Sequence, residues 1–341
     1  MTNWFERLVG FPEADYATTQ SRLRVEGDEL VSTVNGKRYG IGHLSLPTLG
    51  EMRSRVNPAR GQRSSIGTIV GDVRAMHSDP ALEGALFQVA SQFNLLEMVS
   101  ERVTPEAGVA GYAYDNTQGP ACAMAAGAGT IYRNYLVQVG DGIGQTSDRQ
   151  IDALAGVGAA LSELIGLPVE KLWQMRNGYA LCTRDGLTAI NHLLNDAPEE
   201  LLDGLRGQLA IGLHRDVQVT DVEAQRRLVS QAYCSALPVA YSSSGGRGDW
   251  ELFARLVLQA SYENLLLAAV EQADAGGSNK VLLTTIGGGV FGNDPVWIHD
   301  AIARAFEIVR DAGLDIAIVC HGRVSSAVSA LVERMNITGA E

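Results

Sequence analysis

The stretch Gly287-Gly-Gly-Val-Phe-Gly-Asn293 is the part of this 341-residue chain best suited to chemistry. Glycine adopts backbone conformations closed to other residues and carries no side chain that would keep a ligand off the main chain. Backbone N–H groups in such a loop can converge on phosphate oxygens, and the positive end of a following helix adds to the attraction. An ordinary strand-to-helix turn is the competing reading, and a glycine run alone does not separate the two. A second segment of interest lies earlier. Asp115, Asn116, Thr117 and Gln118 form a polar cluster ahead of Gly119–Gly129, where small residues dominate and a ligand could approach the backbone closely. Gly119-Pro120-Ala121 suits the opening of a helix, because proline is tolerated in a first turn. Capping and turn chemistry explain the same polar residues without any ligand.

The elements around the glycine loop follow from periodicity. Leu252, Leu256 and Ala260, with Phe253 and Val257, recur at helical spacing and predict a helix over Trp250–Gln272. An apolar strand from Val281 leads into the glycines, a helix is expected over Pro295–Val309, and Leu314–Cys320 reads as a last apolar strand. Inside the first helix stands Tyr262-Glu-Asn-Leu-Leu266. Farther upstream, Gly71-Asp72-Val73 is followed by Ala85-Leu-Phe-Gln-Val-Ala-Ser-Gln-Phe-Asn94.

This series resembles the macrodomain superfamily, the ADP-ribose-binding fold. In that family a Tyr-x-Asn-x-Leu helix precedes a strand and a "GxG-aromatic-G" loop, and a Gly-Asp-Ile precedes a strand ending in Asn-Ala-Ala-Asn. The resemblance covers about residues 70–322 and implies a three-layer α/β/α architecture with a mixed, mainly parallel sheet. It implies that Asp72, with Val73 beside it, reads the adenine, and that Asn94 faces the distal ribose, with Gln92 before it and Glu97 just beyond as further ligand-binding residues. Asn116, Thr117, Gln118 and Gly119 would form the catalytic loop, and Gly287, Gly288, Gly289, Val290, Phe291, Gly292 and Asn293 would hold the diphosphate. The family's first asparagine is not kept, since Ser91 stands in its place. The divergent loops, including Gln118-Gly-Pro-Ala-Cys122, are similar to an atypical branch that includes bacterial effector hydrolases removing ADP-ribose from arginine.

Hydrolysis of a glycosidic bond to ADP-ribose needs a carboxylate to orient or deprotonate water near C1″ and stabilisation of developing charge. Asp115 is the first choice because it adjoins the small-residue segment. Asp141, Asp148 and Glu106 are further candidates, and turn or capping roles explain Asp141 and Asp148 equally well. Glu97 is also close to the ribose-facing strand end, where a helix-start glutamate is the alternative. No cofactor or metal is expected.

Two regions exceed a minimal macrodomain. Residues 1–66 read as an extension packed on the core, with a hairpin between Leu30–Val34 and Lys37–Tyr39 turned by Asn35-Gly36. Residues 67–341 form the ADP-ribose-binding domain, carrying a helical insertion over about 138–205 with helices at Ile151–Ile165 and Pro198–Leu205. Strands are then expected at Gln208–His214 and Val229–Pro238, and a turn-rich stretch at Ser242–Asp249.

Composition bounds the partners. A net charge of −12 argues against a broad nucleic-acid-binding surface, which needs clustered Lys and Arg. The N-terminus lacks a basic stretch leading into an apolar core, and no window approaches the roughly 20 apolar residues that span a bilayer. The expected setting is cytoplasmic, or that of a secreted effector without a recognisable signal. The four cysteines are scattered and the six histidines dispersed, without metal-site spacing. Three functions stay in view: an ADP-ribosyl hydrolase acting on modified protein, most plausibly at arginine; a non-catalytic ADP-ribose reader; and an enzyme of another nucleotide or nucleotide sugar.

Overall fold

The computed structural model describes residues 3–221, 226–241 and 244–337. Ser242 and Ser243 of the turn-rich stretch, and the first two and last four residues of the chain, lie outside the described residues. At the centre is a seven-stranded sheet. Its order across the sheet is His43–Ser45, Gly212–Gln218, Leu228–Cys234, Leu86–Ala90, Lys280–Leu283, Asp315–Cys320 and Ser65–Val70. The five strands from Leu228–Cys234 to Ser65–Val70 are parallel, and the two at the other end pair antiparallel. Buried parallel strands read as near-continuous apolar runs, as Leu86-Phe-Gln-Val-Ala90 does, with four residues fully buried. Helices cover both faces, giving the α/β/α layering.

The Tyr262 and Asn264 pattern has a mechanical meaning. Glu251–Asp274 is a long helix with little amphipathic character, because it is buried on most sides. Tyr262 donates its hydroxyl to Thr284 O at 2.6 Å and accepts from Ile286 N at 3.0 Å. It therefore clamps the end of the Lys280–Leu283 strand just ahead of the glycines. Asn264 donates to Pro47 O and Leu209 O, tying the extension to the core. Glu263, 2 % exposed, bonds Arg53 at 2.5 Å and also Arg304, joining helices Leu49–Arg55 and Pro295–Ile308.

Residues before 66 both extend and complete the fold. Leu23–Glu26, Glu29–Ser32 and Arg38–Gly40 form a small antiparallel sheet, turned at Asn35-Gly36 with Gly36 at φ +69°. His43–Ser45, by contrast, is an edge strand of the central sheet.

Two expectations shift. The strand expected at Gln208–His214 begins at Gly212, because Gln208 is the C-cap of helix Glu199–Gly207. Its far end continues past a bulge, where Asp216 sits at φ +55°, to Gln218. The insertion over 138–205 is also not wholly helical. Between helices Ala155–Ile165 and Arg184–Asn195, the strands Trp173–Arg176 and Tyr179–Cys182 pair as a hairpin. Its turn, Asn177-Gly178, has φ of +46° and +80°, the backbone that an Asn-Gly hairpin turn requires. Among the described residues, no helix is long and apolar enough to cross a membrane.

Candidate active site

Ligands of open α/β sheets sit outside the carboxyl ends of the strands, and three adjacent parallel strands end at one cleft here. Ala90 ends the first strand and Ser91 and Gln92 follow it, Cys234 ends the second with Ala236 just beyond, and Thr284 to Gly287 leave the third. The cleft holds about 450 Å³, within the range of small-molecule sites. The start of helix Gln118–Ala125 also lines it, and its aromatic lining comprises Tyr114, Tyr179, Tyr241 and Phe291.

The glycine loop closes on itself. Asn293 N donates to Gly287 O at 2.9 Å, and Asn293 Nδ2 donates to Leu237 O at 2.8 Å. Gly287, at φ +75°, has Ala236 Cβ 2.5 Å from where its own Cβ would be, and Gly292, at φ +73°, is similarly tight against Ala240. These two glycines are demanded by the turn itself. Gly289 differs: nothing lies within 4 Å of its missing Cβ, and it lines the cleft with Gly287, Val290 and Phe291. Gly288 turns towards Ile298, and Gly288, Gly292 and Asn293 stay outside the lining.

The helix after the loop does not offer its positive end to a ligand as expected. Asp294 caps helix Pro295–Ile308, accepting from Val296 N at 2.9 Å, so a carboxylate already occupies that end. A second helix start lines the cleft. Thr117, the N-cap of Gln118–Ala125, makes no side-chain cap bond, and Thr117, Gln118, Gly119 and Pro120 all line the cleft. Uncapped first-turn N–H groups attract anions. Gln118 itself is committed to the scaffold: its Oε1 accepts from Ala90 N at 2.9 Å and its Nε2 donates to Gln88 O at 2.7 Å.

Glu97 is the most unusual group in the cleft. It is 3 % exposed, and neither carboxyl oxygen has a hydrogen-bond partner among the described residues. Burial pushes its pKa up to about 8, against a smaller opposing pull from Arg133. Gly119 packs directly on it: a Cβ there would lie 3.0 Å from Glu97 Cγ and 2.1 Å from Ala90 O. A buried carboxyl lacking partners is costly. Where it lines a cleft with a strongly perturbed pKa, it is a candidate for acid–base work. Held protonated near neutral pH, it can donate a proton.

Asp115 lies in the lining but is half-exposed, and its Oδ1 accepts from Thr117 N at 2.8 Å, an Asx turn leading into the helix. Asn116 lines the cleft and is exposed. The other carboxylates are not brought to the cleft. Asp141 is exposed in the tight turn between Gln138–Val139 and Gly142–Ile143, and Asp148 is exposed between Thr146 and Arg149, which pair across a bridge. Glu106 accepts from Ser147 N at 2.8 Å and braces that loop.

Several residues expected to touch ligand make bonds to the scaffold. Asp72 is exposed, caps helix Val73–His77 through Arg74 N at 2.8 Å, and lies outside the lining with Val73. Asn94 is fully buried and turned away: Oδ1 accepts from Leu96 N at 3.1 Å, and Nδ2 donates to Gln150 at 2.9 Å. Gln92 lines the cleft but accepts from Met98 N at 2.9 Å. Tyr179 was not anticipated; the Asn177-Gly178 pair just before it is the signal that could have placed it in a hairpin. Its ring packs 5.1 Å from Tyr241 and 5.3 Å from Phe291, centroid to centroid. Nothing in the local pattern at Tyr241, Met98 or Val99 signalled a place in the lining.

No protein-family model and no curated protein matches the chain. Among solved structures, it is similar to poly(ADP-ribose) glycohydrolase from Deinococcus radiodurans in complex with ADP-ribose. That match has a TM-score of 0.44 and 11 % identity over 87 % of this chain and 95 % of that one. Poly(ADP-ribose) glycohydrolase from Thermomonospora curvata matches with a TM-score of 0.42 and 11 % identity, over 90 % and 93 % of the two chains. Likeness at this level carries no statement about what this chain binds.

Proposed function

We propose that this chain binds ADP-ribose and hydrolyses the glycosidic bond joining it to a modified side chain, with Glu97 as the proton donor. The observation that carries this reading is a buried carboxyl without a hydrogen bond among the described residues, pushed up to about 8, in a cleft walled by the glycine loop. The diphosphate would lie between the Gly287–Gly289 backbone and the uncapped start of helix Gln118–Ala125. The first would offer the open backbone at Gly289, and the second the first-turn N–H groups of Gln118 and Gly119. Glu97 would donate its proton to the departing atom as the bond to C1″ breaks. A water molecule then adds to C1″, its proton returning to the carboxylate.

Arginine is the acceptor we favour. A guanidinium leaving group is cationic, suits an acidic protein of net charge −12, and would meet half-exposed Asp115 in the lining. The decisive experiment follows release of ADP-ribose from protein modified at arginine, serine or glutamate, with calorimetric titration of ADP-ribose, ADP and AMP alongside. Glu97→Gln should retain ADP-ribose affinity within several-fold while slowing release by about 10²-fold or more. Full turnover in Glu97→Gln removes the assignment. Wild type that binds ADP-ribose but never releases it is a reader, and equal affinity for AMP points to another nucleotide.

A further inference from the structure

Glu97 is presented by a loop whose backbone is under strain. Leu95 adopts φ +64°, a conformation unfavourable for leucine, and such residues persist only when their surroundings over-determine them. The surroundings do so here. Gln92 N donates to Leu96 O, Phe93 N to Gly178 O, and Gln145 Nε2 to both Asn94 O and Arg133 O. Arg133 is the centre of this bracing. It is fully buried on helix Gly127–Tyr135, and its Nε donates to Leu95 O at 3.1 Å, the carbonyl of the strained residue itself. Its guanidinium carbon lies 3.7 Å from the centroid of the Tyr233 ring, and Nη2 donates to Thr130 Oγ1 at 3.1 Å. Nη1 faces Nδ1 of His214 at 3.3 Å, and burial together with Arg133 keeps that imidazole neutral. The cation thus reaches 3.7 Å from Glu97 Oε1 while its hydrogen bonds go to Leu95, Thr130 and His214.

We propose that Arg133 is a positioning residue for Glu97: it pins the Leu95 turn that presents the carboxyl and supplies a buried positive charge beside it, leaving the carboxyl's hydrogen-bonding capacity for the ligand. This rests on the reading of Glu97 as proton donor. The ionisable groups facing the carboxyl are Arg133, Tyr112, Cys122 and Tyr233, from four separate elements, and Arg133 is the only cation among them. Tyr112 holds the adjoining backbone, its hydroxyl accepting from Glu97 N at 3.0 Å.

The test compares wild type, Arg133→Lys, Arg133→Gln and Thr130→Val, the last removing one anchor of the guanidinium without touching its charge. The Glu97 carboxyl is titrated by carbon NMR, against Glu97→Gln for assignment, and the pH profile of ADP-ribose release is measured in parallel. In Arg133→Gln the carboxyl midpoint should rise by about one pH unit or more, the usual effect of losing a near opposite charge. The pH profile should move with it, with kcat down about 10-fold and KM little changed. Arg133→Lys should recover the midpoint but only part of kcat, since lysine cannot reproduce the planar contacts to Leu95 and Tyr233. Should Arg133→Gln fail to fold, Thr130→Val decides: lower kcat at unchanged KM supports the role, and wild-type kinetics overturns it. A folded Arg133→Gln with lower Tm but an unmoved midpoint and pH profile reduces Arg133 to a packing residue and overturns the proposal. If Glu97→Gln turns over normally while the midpoint still shifts, the failure belongs to the proton-donor reading.

Discussion

Gly119 lies against Glu97 so closely that a single added carbon would touch it: a Cβ at 119 would stand 3.0 Å from Glu97 Cγ. Helix Gln118–Ala125 therefore carries glycine at its second position, where it packs on Glu97, and its start lines the same cleft. Gly119→Ala should cost stability through the 2.1 Å clash with Ala90 O and should also lower turnover. Thermal denaturation with a release assay would show both losses; a stable, fully active variant would mean that the helix start is more forgiving than its geometry.

Glu97 should leave a signature in pH-dependent stability. Its pKa is raised in the folded protein to about 8 from an ordinary value of 4.5. A carboxyl whose folded pKa is raised favours the folded state fully below its unfolded pKa, and that contribution is lost as pH rises towards the folded pKa. Wild type should therefore lose stability relative to Glu97→Gln between about pH 4.5 and pH 8. Melting curves of the two proteins across this range should diverge upward in pH; parallel curves would show that the carboxyl titrates normally.

The glycines of the 287 loop should separate by function. Gly289→Leu should abolish ADP-ribose binding with little change in Tm, because its side chain would enter open space in the cleft lining. Gly287→Leu should unfold the loop, given φ +75° and Ala236 at 2.5 Å. Binding by Gly289→Leu at wild-type affinity would take the diphosphate away from this loop.

Asn94 should behave as a structural residue. Asn94→Ala removes bonds to Leu96 N and Gln150 in a fully buried setting, a loss of about 1–3 kcal/mol. Affinity for ADP-ribose should stay within several-fold at temperatures where the variant is folded. A large loss of affinity at unchanged Tm would return Asn94 to the ribose.

Asp115→Ala should slow release of ADP-ribose by less than Glu97→Gln does. Its carboxylate sets the turn into the helix through Thr117 N, and it is half-exposed rather than buried. If instead Asp115→Ala is the more damaging change, the proton donor and the acceptor-facing carboxylate exchange roles.

What local sequence determined is the scaffold. Hydrophobic period and glycine placement marked the helix read over Trp250–Gln272, found at Glu251–Asp274, and the strand into the glycine loop, because backbone geometry and burial act over a few residues. The Asn177-Gly178 turn pair is just as local a signal, but it was passed over in a region read as helical. What only the tertiary structure decided is which side chains face the cleft. Asn94 and Glu97 are three residues apart beyond the same strand, yet Leu95 at φ +64° sends the first into the core while the second lines the cleft. That choice depends on Arg133 and Gln145, far along the chain, and no local pattern records it. The same holds for the carboxylates. Asp115, Asp141 and Glu97 are alike as residue types, and only burial, a property of everything packed around them, sets one of them apart.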